Sequence, residues 1–215
     1  MFDQGKKKEE TIAVEGEFGP VKIKIIKKTK YSELEEVDQE LVKGKKGKCF
    51  IVNLKSAYDE EVILFKAGEY VINDSISFAI SLDDFMANVY FDLKDKGVNC
   101  QLYVKGSADI SGHTTFRKKI DERYGSKEGF TKIEYLKALD KEYNFFTNEV
   151  QIKSIGGKYS NSDLPLLRGK FIQYWMKQKF DGVTPIILEG GVEGKTPNPS
   201  LRNAYLYLFV ESKNS

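Results

Sequence analysis

Residues 161–180, NSDLPLLRGKFIQYWMKQKF, constrain the fold more than any other stretch of this chain. Leu164, Leu167, Phe171 and Trp175 recur at spacings of three, four and four, which gives a helix with one face made for burial. Ser162 or Asp163 is expected to cap the first turn by accepting from a free backbone N–H. Pro165 is tolerated there because first-turn amides have no intrahelical partner to lose. Arg168 lies beside the apolar stripe, so its head is expected at the rim of the packed face. An arginine near a helix N-terminus is a receptor for a carboxylate.

The rest of the chain has enough apolar material to enclose such a helix. Of 215 residues, 40% are hydrophobic and 13% aromatic, which supports one substantial domain with insertions, or a domain and a small subdomain. Thirty-four basic against 32 acidic residues leave a formal charge of +2, without the basic excess of a dedicated nucleic-acid binder. The lysine runs at 6–8 and 43–48 read as solvated surface or loop. No stretch approaches the ~18 apolar residues of a membrane span. The first 19 residues lack the apolar core of a secretory signal. Two placements remain: the chain is cytoplasmic if it is native from its first residue, or it works in the envelope after loss of an export signal or anchor. Cys49 and Cys100 are compatible with one disulfide or with two buried thiols, and their apolar surroundings favour thiols.

Read in order, residues 11–26 alternate like a half-buried strand. Residues 31–42 show helical spacing through Leu34, Val37 and Leu41, ended by a glycine- and lysine-rich turn. Residues 49–54 are an apolar run of strand length. A short strand is expected at 62–65. A helix then opens at Asn73, Asp74 or Ser75, with Ile76, Ala79, Leu82, Met86, Val89 and Leu93 inward, and closes at residues 94–97. Residues 100–105 read as a strand entering a loop at 106–112. About 48 residues, 113–160, then exceed the ~12–15 at which structureless loops become rare. A helix at 131–143 and a strand at 150–155 are expected within them. Strands at 183–188 and 201–211 follow the 161–180 helix, with a glycine- and proline-rich loop between them at 190–200.

Four landmarks in this order carry a family resemblance. Asn161-x-x-Leu164-Pro165-x-x-Arg168-Gly169 resembles the N-x-x-L-S-x-x-R-A signature of the OmpA-like peptidoglycan-binding domain, with Pro165 for Ser and Gly169 for Ala. Gly106-Ser107-Ala108-Asp109-Ile110-Ser111-Gly112 is similar to that family's G-H-T-D-x-x-G loop, with Ser107 and Ala108 in place of His and Thr. Leu201-Arg202-Asn203-Ala204 resembles the N-R-R-V opening of its closing strand, and Phe65 with Tyr70 fits its first strand and turn. The resemblance implies an α+β fold, a βαβαββ arrangement of helices on a mixed sheet. A β-rich N-terminal extension occupies 1–60, and the OmpA-like domain 61–215 carries an insertion at 113–160.

The same resemblance implies that Asp109 and Arg168 grip the zwitterionic end of diaminopimelate in the peptidoglycan stem peptide, the carboxylate facing the ammonium and the guanidinium facing the carboxylate. Asn161 ties loop to helix, and Gly112 and Leu164 complete the ligand site. No metal, cofactor or catalytic residue is implied, and the working place is the periplasm or cell envelope. The alternative is the same fold without wall binding, serving as a scaffold that docks a protein through the insertion or the N-terminal region. On that alternative Asp109 and Arg168 are a structural pair. Arg202 is expected in strand-end packing or a surface pair. Oligomeric state is left open by the sequence.

Enzymatic chemistry has thin support. His113 is the sole histidine and reads as surface or rim. The run from Gly190 to Thr196 lacks the phosphate-loop spacing and runs into prolines rather than a helix. A wall hydrolase is the least supported class.

Overall fold

The computed structural model describes residues 9–16, 19–38, 45–58, 60–63, 65–68, 70, 72, 75–110, 161–196 and 198–212. The sequence expectations for 131–143 and 150–155, and for Leu41, Gly112 and His113, lie outside these residues. The chain is α+β. Strands β1 (Glu9–Gly16) and β2 (Gly19–Ile26) form a hairpin. Strands β3 (Ser32–Val37), β4 (Gly47–Leu54), β5 (Cys100–Asp109), β6 (Ile186–Glu193) and β7 (Ala204–Glu211) form a five-stranded mixed sheet in the order β3-β4-β7-β5-β6. Between β4 and β5 lie helix α1 (Ser75–Phe85), a π-helical turn (Met86–Tyr90) and α2 (Phe91–Asp95). Helix α3 (Leu164–Lys179) precedes β6.

The residues divide into two compact units. One comprises Met1–Ile63, Asp74–Tyr103 and Tyr205–Ser215, and the other Leu64–Asn73 and Val104–Ala204. In the first, the alternation at 11–26 resolves into two strands rather than one. Register pairs Thr11 with Lys24, Ile12 with Ile23, Ala13 with Lys22 and Val14 with Val21. The helix expected at 31–42 is replaced by β3, which pairs antiparallel with β4 and buries Ser32 and Leu34 at period two. So short a segment satisfies both periods, and the neighbouring strand decides. Among the described residues of 62–65, no strand forms where one was expected. Val62, Ile63 and Phe65 are buried, and isolated bridges join Lys55 to Glu61 and Phe65 to Ile72.

The expected helix does start at Ser75, and Gly97 closes it with φ of 74°. Its inward stripe differs at the front, where Ile76 is 74% exposed and Phe78 fully buried. Phe78, Leu82 and Phe85 hold the inner face, since two aromatics remove more apolar area from water than Ile76 and Ala79. Helix and sheet are further joined through polar groups. Asp84 Oδ2 accepts from the Thr29 hydroxyl and from the Tyr31 N–H at 2.9 Å, and Ser81 Oγ donates to the Lys55 carbonyl at 2.5 Å.

Cys49 on β4 and Cys100 on β5 are free and buried. Strand β7 lies between their strands, so their backbones stand two strand spacings apart, about 9.5 Å, beyond the ~7 Å limit of a disulfide. Burial pushes the Cys49 thiol up, and pushes Cys100 up to about 11. The folded protein is therefore expected to leave a thiol reagent unreacted at pH 8, with both thiols titrating after denaturation. Cys100 ionises in the unfolded chain near 9.0 but in the folded one only near 11, so its contribution to stability is whole below 9.0 and falls across that window. Urea melts at pH 8 and pH 10.5 check this.

Candidate functional site

The second unit brings several residues singled out in the sequence to one place, the C-terminal half of β5. The loop expected at 106–112 is extended strand as far as Asp109. Gly106, Ser107, Ala108 and Asp109 are all buried. Against this strand lies the first turn of α3, and glycine makes the approach close. A Cβ on Gly106 would stand 1.8 Å from the Pro165 carbonyl oxygen, and one on Gly190 in β6 would stand 1.9 Å from the Gly106 oxygen. The strand expected at 183–188 consequently runs later, Ile186–Glu193, so that Gly190 can lie beside β5.

Helix α3 starts differently from expectation. A single 3-10 turn, Asn161–Asp163, runs directly into it. Asp163 occupies the cap position with φ −86° and ψ −19° and forms no side-chain cap bond. Capping needs extended dihedrals to turn the carboxylate back on the first amides, and the preceding turn holds this residue helical. The apolar face is as expected for Leu164, Leu167 and Phe171, while Ile172 and Met176 are buried in addition and Trp175 is half-buried.

Arg168 is not at the rim. It is 1% exposed, the largest fully buried side chain among the described residues. Its Nη1 donates to the Ser107 carbonyl at 2.5 Å and its Nη2 to the Lys66 carbonyl at a longer 3.4 Å. The guanidinium lies 4.9 Å from the Phe65 ring centroid, within cation–π range. The close seat of α3 on Gly106 explains the burial: one turn beyond Pro165, the side chain meets strand instead of solvent.

Asp109 ends the strand inside its own set of donors. Its Oδ2 accepts from Arg202 Nη2 at 2.9 Å and from the Asn198 N–H at 3.0 Å. Its carbonyl accepts from Asn161 Nδ2 at 2.7 Å, which links the strand end to the start of α3. The ion pair is well shielded, with side-chain exposures of 18% for Arg202 and 5% for Asp109. Arg202, expected in strand-end packing or a surface pair, is thus a partner of the candidate aspartate. It follows the 3-10 turn Pro199–Leu201, where the Asn198 side chain accepts from the Ser200 N–H at 3.1 Å and holds the turn that aims its own N–H.

The bonding of three further groups escaped the sequence reading. The Asn203 carbonyl accepts from the Ser107 N–H at 2.8 Å, and its side chain accepts from the Ala204 N–H at 2.6 Å. The Phe65 N–H donates to the Arg202 carbonyl at 2.9 Å. The glycine at 106 and the asparagine before the last strand were the available signals, since each marks a close approach or an irregular strand start. Chemically, the cluster holds a guanidinium and a carboxylate on fixed supports, each engaged by partners within the protein. Among the described residues no group of three or more His, Cys, Asp or Glu is placed to hold a metal, and no helix is long and apolar enough to cross a membrane. In comparisons with known proteins, no family model, no curated protein and no solved structure matches the chain.

Proposed function

We propose that this chain is a non-catalytic peptidoglycan-binding module of the bacterial envelope, recognising the diaminopimelate of the stem peptide through Asp109 and Arg168. The observation that carries the reading is the meeting of Asp109, Arg168, Asn161 and Leu164, from the end of β5 and the start of α3, within one unit. Among the described residues from β4 onward the elements run strand, helix, strand, helix, strand, strand, which supports the OmpA-like arrangement. In that arrangement β4 stands as the first strand, in place of residues 62–65. Asp109 would take the ligand ammonium, exchanging it for the Arg202 guanidinium, and Arg168 with the first amides of α3 would take the carboxylate.

A second reading is favoured by the same side chains. Arg168 already donates to two backbone carbonyls, and Asp109 already accepts from Arg202 and Asn198. On that reading the cluster is a structural lock, and the protein is a scaffold that docks a partner through the N-terminal region or the segment at 113–160.

Retention on purified diaminopimelate-type sacculi separates the two. Wild type is expected to sediment with the wall, and Asp109→Asn and Arg168→Lys to lose at least tenfold in retention while keeping the wild-type circular dichroism. Folded wild type that stays in the supernatant would overturn the wall-binding reading and leave the scaffold reading.

A further inference from the structure

Helix α1 carries apolar side chains on the face it turns to solvent. Phe78, Leu82 and Phe85 hold its inner face, yet Ile76 is 74% exposed and Ile80 49% exposed. Asp83 and Ala87, both exposed, continue the same stripe at spacings of four, three and four. A β-branched residue in the open lowers helix propensity without the gain of burial. Two of them one turn apart form a patch, which marks an interaction surface better than scattered residues do.

Charge indicates what covers it. Residues 75–93 include three aspartates and no basic residue. Helix α3 is the opposite, with Arg168 and three lysines and no acidic residue from Leu164 to Lys179. Its outward stripe, Leu166, Lys170, Gln173 and Lys177, repeats the spacing of four, three and four. Leu166 and Lys177 are exposed, and Lys170 and Gln173 half-buried. Both stripes are open within one chain, so neither covers the other.

Laid antiparallel, the two stripes match position by position. Asp83 meets Lys170, and Ala87 meets Leu166. Ile80 lies against Gln173, whose amide is already given to the Pro185 carbonyl at 2.8 Å, and Ile76 against the stem of Lys177. A parallel arrangement would set Asp83 against Gln173 and Ile80 against Lys170, with no charges paired. Two α1 faces would bring aspartates together, and two α3 faces lysines.

We propose that this chain associates with further copies of itself, head to tail, the outer face of α1 on one copy packing against that of α3 on the next. Such a contact is heterologous, so each copy keeps a second face open for a third copy. A single helix pair buries less than the ~1,200 Å² of stable complexes, so the association is weak, with a Kd on the order of 100 µM. The exposed ion pair sets register more than affinity. The inference is independent of wall binding and stands on either reading of the candidate site.

Sedimentation velocity of the full chain tests it. The weight-average mass of wild type is expected to rise about twofold or more between roughly 5 and roughly 500 µM. Asp83→Lys and Lys170→Glu are each expected to stay monomeric over that range, because like charges then meet. An equimolar mixture of the two is expected to associate again, since its contacts form between unlike charges. The double variant, which keeps the formal charge of +2, is expected to associate by itself. Circular dichroism melts within about 1 °C of wild type check that these surface substitutions leave the fold intact. Wild type that remains monomeric at the highest concentration would overturn the inference. So would a Lys170→Glu variant that associates like wild type, which takes α3 out of the contact. A mixture or double variant that stays monomeric would overturn the pairing of Asp83 with Lys170 and the inference with it.

Discussion

Arg168→Ala is expected to lower the unfolding free energy by about 4 kcal/mol, combining a large cavity with two orphaned carbonyl acceptors. Those acceptors belong to Ser107 and Lys66, and the Phe65 ring loses its cationic neighbour as well. Domains of this size are stable by only about 5–15 kcal/mol, so one substitution would remove a large share. Arg168→Met keeps the stem and drops the donors, and is expected to cost about 2–3 kcal/mol, the part owed to polar satisfaction. Urea denaturation of the three proteins reads both values. A melt of Arg168→Ala that overlays wild type would mean that the side chain is solvated in solution, contrary to its 1% exposure.

The second large effect is steric. An alanine at 106 would place its Cβ 1.8 Å from the Pro165 oxygen, a backbone atom that can yield only if α3 moves off the strand. The expected cost is about 3 kcal/mol, which corresponds to a fall in thermal midpoint of roughly 6–12 °C. Gly190→Ala should behave alike, its Cβ meeting the Gly106 oxygen at 1.9 Å. Gly191 is the internal control, since nothing lies within 4 Å of its virtual Cβ and its alanine variant is expected to melt within about 1 °C of wild type. Differential scanning calorimetry on the three variants distinguishes close backbone approach from a general intolerance of side chains in β6.

How much of this was legible beforehand follows from where each signal resides. Residues 49–54, 100–105 and 161–180 could be assigned because a long apolar run or a repeated three–four spacing leaves one solution. Ser32–Val37 could not, because six residues satisfy two periods and the choice was made by β4, which is distant in sequence. The candidate site was legible in its membership, Asp109, Arg168 and Asn161, but not in its bonding. Helical phase places Arg168 beside the stripe, yet nothing in phase reveals that Gly106 lets the helix sit close enough to bury it. Likewise the charge on Arg202 was visible, but its pairing with Asp109 depends on the turn at Pro199–Leu201.

The place of β7 in the sheet has a consequence for biosynthesis. Its partner β4 ends at Leu54, whereas β7 begins only at Ala204. At about 5–20 residues per second, a ribosome needs roughly 8–30 s to make the chain between them. Through that interval β4 has β3 on one side and a row of unanswered amides and carbonyls on the other, an edge open to misassociation. The centre of the sheet is thus the last part to be supplied. Closure of the first unit is an event that follows translation of β7, and a nascent chain stalled before it would be a substrate for holding chaperones.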